Sequence, residues 1–240
     1  MAASARMNFL GVLGGMGPLA SAEFLKTIYE YSSGEREQQL PPVICYSDPT
    51  FPDRTEAILK GEDEILLARL VEALERLCKM EVTKIVICCM TIHYLLPKLP
   101  HNLRERIISL LDVMFAHAKG GRKKHLVLCS TGAREMRIFE DHPSWSAVKD
   151  RLIFPNRDDQ KRVHEMIYEM KVSRGIHSGI LFLESLLLKY QVDSFAAGCT
   201  EIHILAKRFL DSGMKRKYSC LDPLNIIARD CAEGHLWNQA

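Results

Sequence analysis

The sequence predicts an α/β fold of two pseudo-symmetric three-layer α/β domains, with mostly parallel sheets and an active-site cleft between the domains. Three observations lead to this prediction. Short apolar segments alternate with longer amphipathic ones, two stretches of the chain resemble each other, and both stretches carry a cysteine at the same position. The chain has 240 residues and is 47% hydrophobic, so it can bury a sizeable core.

Composition and charge exclude several classes of protein. Lys and Arg total 32 against 30 Asp and Glu, and the net charge of +2 gives no reason to expect a nucleic acid or an anionic membrane as partner. Apolar runs are too short to span a bilayer. Glycines interrupt the N-terminal apolar run before it forms the hydrophobic region of a signal peptide. We therefore expect a cytoplasmic protein.

Seven short apolar runs are predicted to be strands. They lie at Phe9–Leu13, Val43–Tyr46, Lys84–Cys88, Leu126–Cys129, Leu152–Phe154, Ser194–Ala197 and Tyr218–Leu221. Apolar residues at intervals of three and four predict helices between them, most clearly at 62–80, 160–171 and 176–190. This alternation is typical of βαβ units, in which ligands bind beyond the carboxyl ends of parallel strands. Residues that follow the strands are therefore the candidates for function.

Two parts of the chain repeat one pattern. CMTIH at 89–93 matches CTEIH at 199–203, SLLD at 109–112 matches SCLD at 219–222, and LGGMG at 13–17 resembles LCSTG at 128–132. The first two matches are 110 residues apart and the third 115. Three matches in one order and at nearly one spacing predict two copies of a single α/β unit. Packing of the copies about a pseudo-twofold axis would bring Cys89 and Cys199 face to face across a cleft.

The eight cysteines are predicted to be reduced, and most of them to be buried small hydrophobic residues. Cys89 and Cys199 each end a strand and precede a helical segment, whose N-terminus would lower the pKa of a thiol. A thiolate on one side of a carbon atom and a thiol on the other form a base and an acid, which together invert a stereocentre. Alternation along the strand points Cys88 away from this pair and into the core.

Two features near the cysteines admit other interpretations. His93 and His203 each follow a cysteine by four residues, so two Cys–His pairs can also build a Cys₂His₂ zinc site between the halves. The segment GGMGP at 14–18 favours a tight strand-to-helix turn, and its backbone N–H groups can approach an anionic substrate. It lacks the G-x-G-x-x-G spacing, and a P-loop Gly-Lys-Ser/Thr is absent, so nucleotide binding is disfavoured.

Four motifs together resemble the signatures of the PLP-independent aspartate/glutamate racemase family. They are GGMGP at 14–18, DPTFPDRT at 48–55, CCMTIHY at 88–94 and AGCTEI at 197–202, and they follow the family's order and spacing over nearly the whole chain. The resemblance implies an isomerase that racemises a small amino acid without PLP or a metal. It also implies that Cys89 and Cys199 are catalytic and that the protein forms a homodimer of two-domain chains.

The same resemblance implies residues that bind the substrate. Arg54 falls at a carboxylate-binding position, in a Pro-rich loop where a fixed cation can hold a carboxylate in bidentate fashion. Lys171 falls near a second cationic position. The other implied substrate-binding residues are Gly17, Met90, Thr91, Thr131 and Thr200. The first domain is expected to comprise residues 1–108 and 215–240, with the C-terminal strand and helix returning to it, and the second domain residues 109–214.

Two positions depart from the family's pattern. Met90 stands where the family has asparagine, and Ala133 stands where it tends to have a threonine after Thr131-Gly132. Methionine offers bulk and a weakly accepting sulfur in place of amide donors. We therefore predict a weak or atypical aspartate racemase that prefers a larger or less polar carboxylate. Isomerisation or epimerisation of another small carboxylate, and binding without turnover, remain alternatives at this stage.

Overall fold

The computed structural model describes residues 8–237, apart from the side chain of Arg216. The strands in this range form two sheets in which all pairs are parallel. The first sheet has the order β2-β1-β3, with β1 at Leu10–Gly14, β2 at Val43–Ser47 and β3 at Lys84–Ile87. The second has the order β5-β4-β6-β7, with β4 at His125–Leu128, β5 at Leu152–Ile153, β6 at Ser194–Ala197 and β7 at Ser219–Leu221. All seven predicted strands are confirmed.

Helices connect the strands and cover the sheets. They are α1 (Pro18–Tyr31), α2 (Arg54–Lys60), α3 (Asp63–Lys79), α4 (His101–Arg104), α5 (Leu110–Gly120), α6 (Thr131–Glu135), α7 (Trp145–Val148), α8 (Arg157–Lys171), α9 (Ile176–Lys189), α10 (Glu201–Asp211) and α11 (Pro223–Ala232). Short 3₁₀ helices lie at Glu37–Gln39, Thr91–Lys98, Lys149–Arg151, Met214–Arg216 and His235–Trp237. The three helices that periodicity predicted correspond to α3, α8 and α9. Within 8–237, none of the helices combines the length and the apolar character needed to cross a bilayer.

The two halves of the chain share one topology, as the internal repeat predicts. The order β2-β1-β3 of the first half matches β5-β4-β6 of the second. In the second half β7 pairs with β6. At the corresponding edge of β3 in the first half, the described residues form only a parallel bridge between Ile85 and Ile107. The helix that follows is capped in both halves, by Ser109 for α5 and by Asp222 for α11. Ser109 thus corresponds to Asp222 and not to Ser219, because the shared role is to accept a backbone N–H at the helix start.

One hydrophobic cluster lies between the two sheets and joins the halves. This central cluster contains Val12 of β1, Val86 of β3, Val127 of β4 and Ala196 of β6, together with side chains of α5 and α11. Because successive side chains of a strand point to opposite faces, the next residues along these strands enter two outer clusters, one in each half. The two halves are therefore held together by a shared core.

The C-terminal segment differs from the predicted division of the chain. β7 pairs with β6, Phe195 lying beside Cys220, so this strand extends the second sheet and does not return to the first. The backbone N–H and C=O groups at the edge of β6 form the hydrogen bonds to β7. The helix α11 instead packs against α1 and α5, and the Tyr31 hydroxyl donates to Asn225 Oδ1 at 3.0 Å. A boundary at residue 215 does not separate the sheets, and the two-domain division stays a prediction.

Candidate active site

Cys89 and Cys199 lie just beyond the carboxyl ends of β3 and β6, where the two halves meet. Both side chains are almost fully buried, with 5% and 6% exposure. The two sulfurs are close enough for a charge on Cys89 to contribute to raising the pKa of Cys199. Cys88 points the other way, into the central cluster, whereas Cys89 packs in the outer cluster of the first half. The strand alternation that separates Cys88 from the pair is confirmed.

The thiol of Cys199 faces a carboxylate. Its Sγ donates to Glu201 Oε2 at 2.9 Å. Burial raises the pKa of Cys199 well above its usual range, and the negative charge of Glu201 raises it further, while Lys171 acts in the opposite direction. The expectation of a lowered thiol pKa at the helix N-terminus is wrong for Cys199. The helix α10 begins two residues after it, and its first residue places a carboxylate against the sulfur.

A guanidinium faces Cys89. Arg54 is 7% exposed, and its Nη1 and Nη2 donate to the carbonyls of Pro52 and Met16 at 2.8 and 3.0 Å. Burial opposes the charge of Arg54, yet its pKa stays above the ordinary value because Cys89, Asp53 and Glu201 lie close to it. The arginine that the resemblance assigned to the substrate therefore does lie beside Cys89. The site holds a cation next to one cysteine and an anion next to the other.

The two histidines of the repeat do not form a zinc site with the cysteines. His93 Nδ1 donates to the Cys89 carbonyl at 2.8 Å, so its Nε2 accepts from the backbone N–H of Leu110 at 3.0 Å. Burial lowers the pKa of His93 to about 4, which keeps this ring neutral.

His203 also has both ring nitrogens engaged. Its Nδ1 lies 2.6 Å from Asp222 Oδ2 and its Nε2 3.0 Å from Thr27 Oγ1. Across the part of the chain that the structure describes, the ligand atoms of the two Cys–His pairs do not converge. The zinc hypothesis is therefore wrong. Each histidine instead ties its cysteine's segment to the start of the next helix, His93 to α5 and His203 to α11.

The threonines that the resemblance assigned to substrate binding also lie at the junction of the halves. Thr91 Oγ1 is 2.9 Å from the Ser130 hydroxyl, and Thr200 Oγ1 donates to the Cys88 carbonyl at 3.3 Å. Both hydrogen bonds join one half of the chain to the other. The backbone N–H of Thr131 donates to His164 Nδ1 at 3.2 Å. These groups lie just beyond the ends of β3, β4 and β6, as the two cysteines do at β3 and β6.

Two glycines of the GGMGP segment allow close approaches that a side chain would prevent. Gly15 has a φ of 93°, and a Cβ there would overlap with the backbone of Asp48. Gly17 caps α1, with Pro18 in the first turn as predicted, and a Cβ there would overlap with Glu201 Oε1. The carboxylate of Glu201 therefore reaches across from the second half to the start of α1.

A helix of the second half holds the DPTFPDRT segment of the first. The Tyr168 hydroxyl donates to Asp53 at 2.8 Å, and Lys171 Nζ lies 3.6 Å from Asp53 Oδ2 and 4.0 Å from the centroid of the Tyr168 ring. Asp53 also caps α2 by accepting from the Glu56 N–H at 3.0 Å. These contacts fix Arg54, the first residue of α2, beside Cys89. Lys171 is thus near the site, but it is paired with Asp53.

The two positions that depart from the family's pattern are both buried. Met90 and Ala133 have no exposed surface, and both belong to the central cluster. Side chains alternate between the two clusters along this segment, so Cys88 and Met90 lie in the central cluster and Cys89, between them, lies in the outer one. The structure therefore places the Met90 side chain among core residues, which differs from the direct substrate contact expected of it.

Several side chains of this region were not singled out from the sequence. They are Glu201, Ser130, Asp53, His164 and Tyr168. The repeat contained a signal for Glu201, since it occupies the position of Thr91 in the second copy. The spacing of His164, Tyr168 and Lys171 along α8 places them on one helical face, which is a weaker signal.

Comparisons with known proteins agree with this architecture. The model of the family Asp/Glu/hydantoin racemase matches residues 13–231. The fold is similar to that of the aspartate racemase of Picrophilus torridus, with a TM-score of 0.78 at 20% identity over 95% of this chain and 94% of that one. It is also similar to the allantoin racemase of Klebsiella pneumoniae, with a TM-score of 0.62 at 13% identity over 97% and 89% of the chains. The glutamate racemase of Thermus thermophilus gives 0.55 at 15% identity over 97% and 82%.

Proposed function

The chain belongs to the Asp/Glu/hydantoin racemase family, and from this membership we propose that it is a PLP-independent amino-acid racemase of the aspartate/glutamate type. Cys89 and Cys199 are the proposed acid and base. The observation that carries the proposal is the approach of two buried thiols at the ends of corresponding strands, with Arg54 beside one and Glu201 beside the other. In the proposed complex, the carbon atom of the substrate meets one sulfur on each face.

The proposed reaction balances one proton on each side. The Cys89 thiolate takes the α-proton and becomes a thiol, and the Cys199 thiol delivers its proton to the opposite face and becomes a thiolate. Glu201 supports the starting state because its negative charge favours the protonated form of Cys199. The other enantiomer reacts with the roles exchanged. Because both sulfurs are buried, water is kept from the carbanion that forms between them.

Two cations are available for the carboxylates of the substrate. Arg54 lies beside Cys89, and Lys171 is near enough to Cys199 to act on its pKa. A guanidinium can hold a carboxylate with two parallel hydrogen bonds. Among the described residues, Arg54 Nε has no hydrogen-bond partner, although it is buried. We assign to Arg54 the substrate carboxylate and to Lys171 a second contact, supported by Gly17, Thr91, Thr131 and Thr200.

We also propose which kind of amino acid the protein prefers. We expect aspartate to be a weak substrate and a larger or less polar amino acid to be a better one, because the polar side chains of the family's pattern are missing at positions 90 and 133. The side chains of Met90 and Ala133 lie in the core, so this expectation rests on the missing polar groups and not on a contact of Met90 with the substrate. A chiral separation of the products from aspartate, glutamate and several neutral amino acids tests this directly. The assay is run on reduced protein without added PLP. Racemisation of one of these amino acids is the expected result, and none from folded, reduced protein would contradict the proposal.

We also propose that the chain forms a homodimer, as the family resemblance implies. Tyr29 and Tyr31 of α1 are 39% and 43% exposed and offer part of a surface that a second copy can cover. Light scattering coupled to gel filtration measures the mass of the particle. Twice the 27.3 kDa of one chain is expected, and a particle with the mass of one chain would contradict the proposal.

A further inference from the structure

The carboxylate of Glu201 is only half satisfied. The residue is 1% exposed, and its Oε2 accepts from Cys199 Sγ at 2.9 Å. Thr200 Oγ1 lies 3.4 Å from the same oxygen, but its single proton is shared with the Cys88 carbonyl at 3.3 Å. The other carboxylate oxygen of Glu201, Oε1, is also buried and has no hydrogen-bond donor within residues 8–237. A buried acceptor without a donor is unfavourable, more so when it carries charge. This oxygen is therefore suited to a donor that arrives with a ligand.

The oxygen Oε1 lies where the two halves of the chain meet. It lies against the backbone of Gly17, where a Cβ would overlap with it. Gly17 is the residue before α1 in the first half, whereas Glu201 is the first residue of α10 in the second. Glu201 also lies close enough to Arg54 to raise the pKa of that guanidinium. The unpaired oxygen is thus between the halves, next to the cysteine pair and to the proposed carboxylate-binding arginine.

The charged neighbours of this oxygen have partners of their own, apart from Arg54 Nε, which is unpaired among the described residues and is assigned above to the carboxylate of the substrate. Arg54 donates to the carbonyls of Pro52 and Met16, and Lys171 pairs with Asp53. Asp53, the other carboxylate near the cysteines, accepts from Tyr168 and from the backbone of Glu56. Of these two carboxylates, Glu201 is the one with an oxygen left for a ligand.

We propose that Glu201 Oε1 binds the α-ammonium group of the substrate. This inference rests on the proposed racemase function and extends it to the class of substrate. An ammonium group supplies N–H donors and a positive charge, which match a buried carboxylate oxygen. A hydantoin ring offers only neutral N–H groups, and a 2-hydroxy acid offers a neutral hydroxyl. Glu201 therefore selects a free α-amino acid, and its other oxygen holds Cys199 next to the α-carbon.

Equilibrium binding of matched ligands tests the inference. L-Aspartate is compared with succinate, which lacks the amino group, and with L-malate, which carries a hydroxyl there; L-glutamate and glutarate form a second pair. Isothermal titration is carried out on the wild type and on Glu201→Gln. Glu140→Gln is the control, because Glu140 also has a buried and unpaired oxygen, Oε2, but pairs with Arg134 and is not among the charges that act on Cys199. Thermal melting verifies that each variant is folded.

The wild type is expected to prefer the amino acid over its desamino partner, and Glu201→Gln is expected to weaken amino-acid binding by about tenfold to hundredfold. Affinity for succinate or glutarate is expected to stay the same, and Glu140→Gln is expected to behave as the wild type. An equal loss for both members of a pair in folded Glu201→Gln would overturn the inference. So would wild-type protein that binds succinate or malate as tightly as aspartate, a result that does not depend on the variant.

The outcomes also separate this inference from the proposed function. Protein that prefers the amino acids but leaves their α-carbon unchanged would contradict the racemase proposal and leave the role of Glu201 standing. Protein that racemises an amino acid without preferring its ammonium group would contradict the role of Glu201 alone. Wild-type protein that binds none of the five ligands would contradict the role of Glu201 and the aspartate/glutamate type of the proposed function, but not the racemisation of a neutral amino acid.

Discussion

The Cys199 thiol donates a hydrogen bond of 2.9 Å to the carboxylate of Glu201. The corresponding cysteine of the first half, Cys89, lies beside the guanidinium of Arg54 instead. At the repeat position of Glu201 the first half has Thr91, whose hydroxyl contacts Ser130. The backbone at the two cysteines is thus nearly symmetric, but the charges around them are not. We expect this difference to set which sulfur carries the proton before the substrate binds.

Replacement of Glu201 by glutamine is predicted to lower the pKa of Cys199. The carboxylate raises this pKa in addition to burial, and an uncharged amide of the same shape removes the charge while leaving the burial. The pH dependence of alkylation at Cys199, followed by peptide mass spectrometry, measures the change. The alkylation profile should move to lower pH in the variant and stay in place in Glu140→Gln. An unmoved or upward-shifted profile in folded Glu201→Gln would contradict the electrostatic assignment.

His93 is predicted to make the fold less stable in mild acid. Burial lowers its pKa from the usual value of about 6.5 to about 4, so the unfolded chain binds a proton at a higher pH than the folded chain does. The stability that this ring contributes is therefore complete above about pH 6.5 and is lost as the pH falls towards 4. The loss is about 3 kcal/mol in the free energy of unfolding.

Denaturant unfolding of the wild type and of His93→Gln between pH 4 and 7 measures this dependence. Glutamine can donate to the Cys89 carbonyl and accept from the Leu110 N–H, but it does not titrate. The variant should therefore show a smaller loss of stability with falling pH. An identical slope in the two proteins would mean that His93 is not the group responsible.

Met90→Asn is predicted to destabilise the fold by about 1–3 kcal/mol, because it buries an amide at a position with no exposed surface in the central cluster. Met90→Leu, which keeps the apolar character and nearly the volume, should cost less than about 1.5 kcal/mol. Unfolding in urea gives both values, and equal stability of the two variants would count against the placement of Met90 in the core. Efficient aspartate turnover by the wild type, unimproved in Met90→Asn, would show that the departure is silent for specificity.

Much of the fold follows from local patterns in the sequence. Apolar runs and helical periodicity predict the strands and the longest helices, because burial of apolar surface determines both. The repeat predicts the meeting of Cys89 and Cys199, and strand alternation excludes Cys88. Local patterns do not determine which strands pair with each other. β7 pairs with β6 and not with the first sheet, and the free edge of β6 that it joins forms only when the second sheet folds.

The same limit applies to the site. The sequence contains only a weak signal for Glu201, because a glutamate at the start of a helix is usually a surface residue that favours the dipole, and only the packed structure buries it at 1% exposure. The histidines fit the spacing of zinc ligands, but tertiary contacts give each ring nitrogen another partner. Met90 fits the family's substrate position by register, yet its side chain points into the core.

The two-cysteine mechanism is tested most directly by the uptake of deuterium at the α-carbon of the substrate. Amino acids are incubated in D₂O with the wild type, Cys89→Ala, Cys199→Ala and Cys88→Ala. Mass spectrometry then measures deuterium at the α-carbon, and chiral separation measures the fraction of each enantiomer. The wild type and Cys88→Ala should form the labelled opposite enantiomer. Each of the other two variants should lose racemisation by at least about 10²-fold, since inversion needs both acid and base, while one-sided exchange can survive in one of them. Folded, reduced wild type that leaves every candidate amino acid unlabelled, or racemisation at the wild-type rate by Cys89→Ala or Cys199→Ala, would contradict the mechanism.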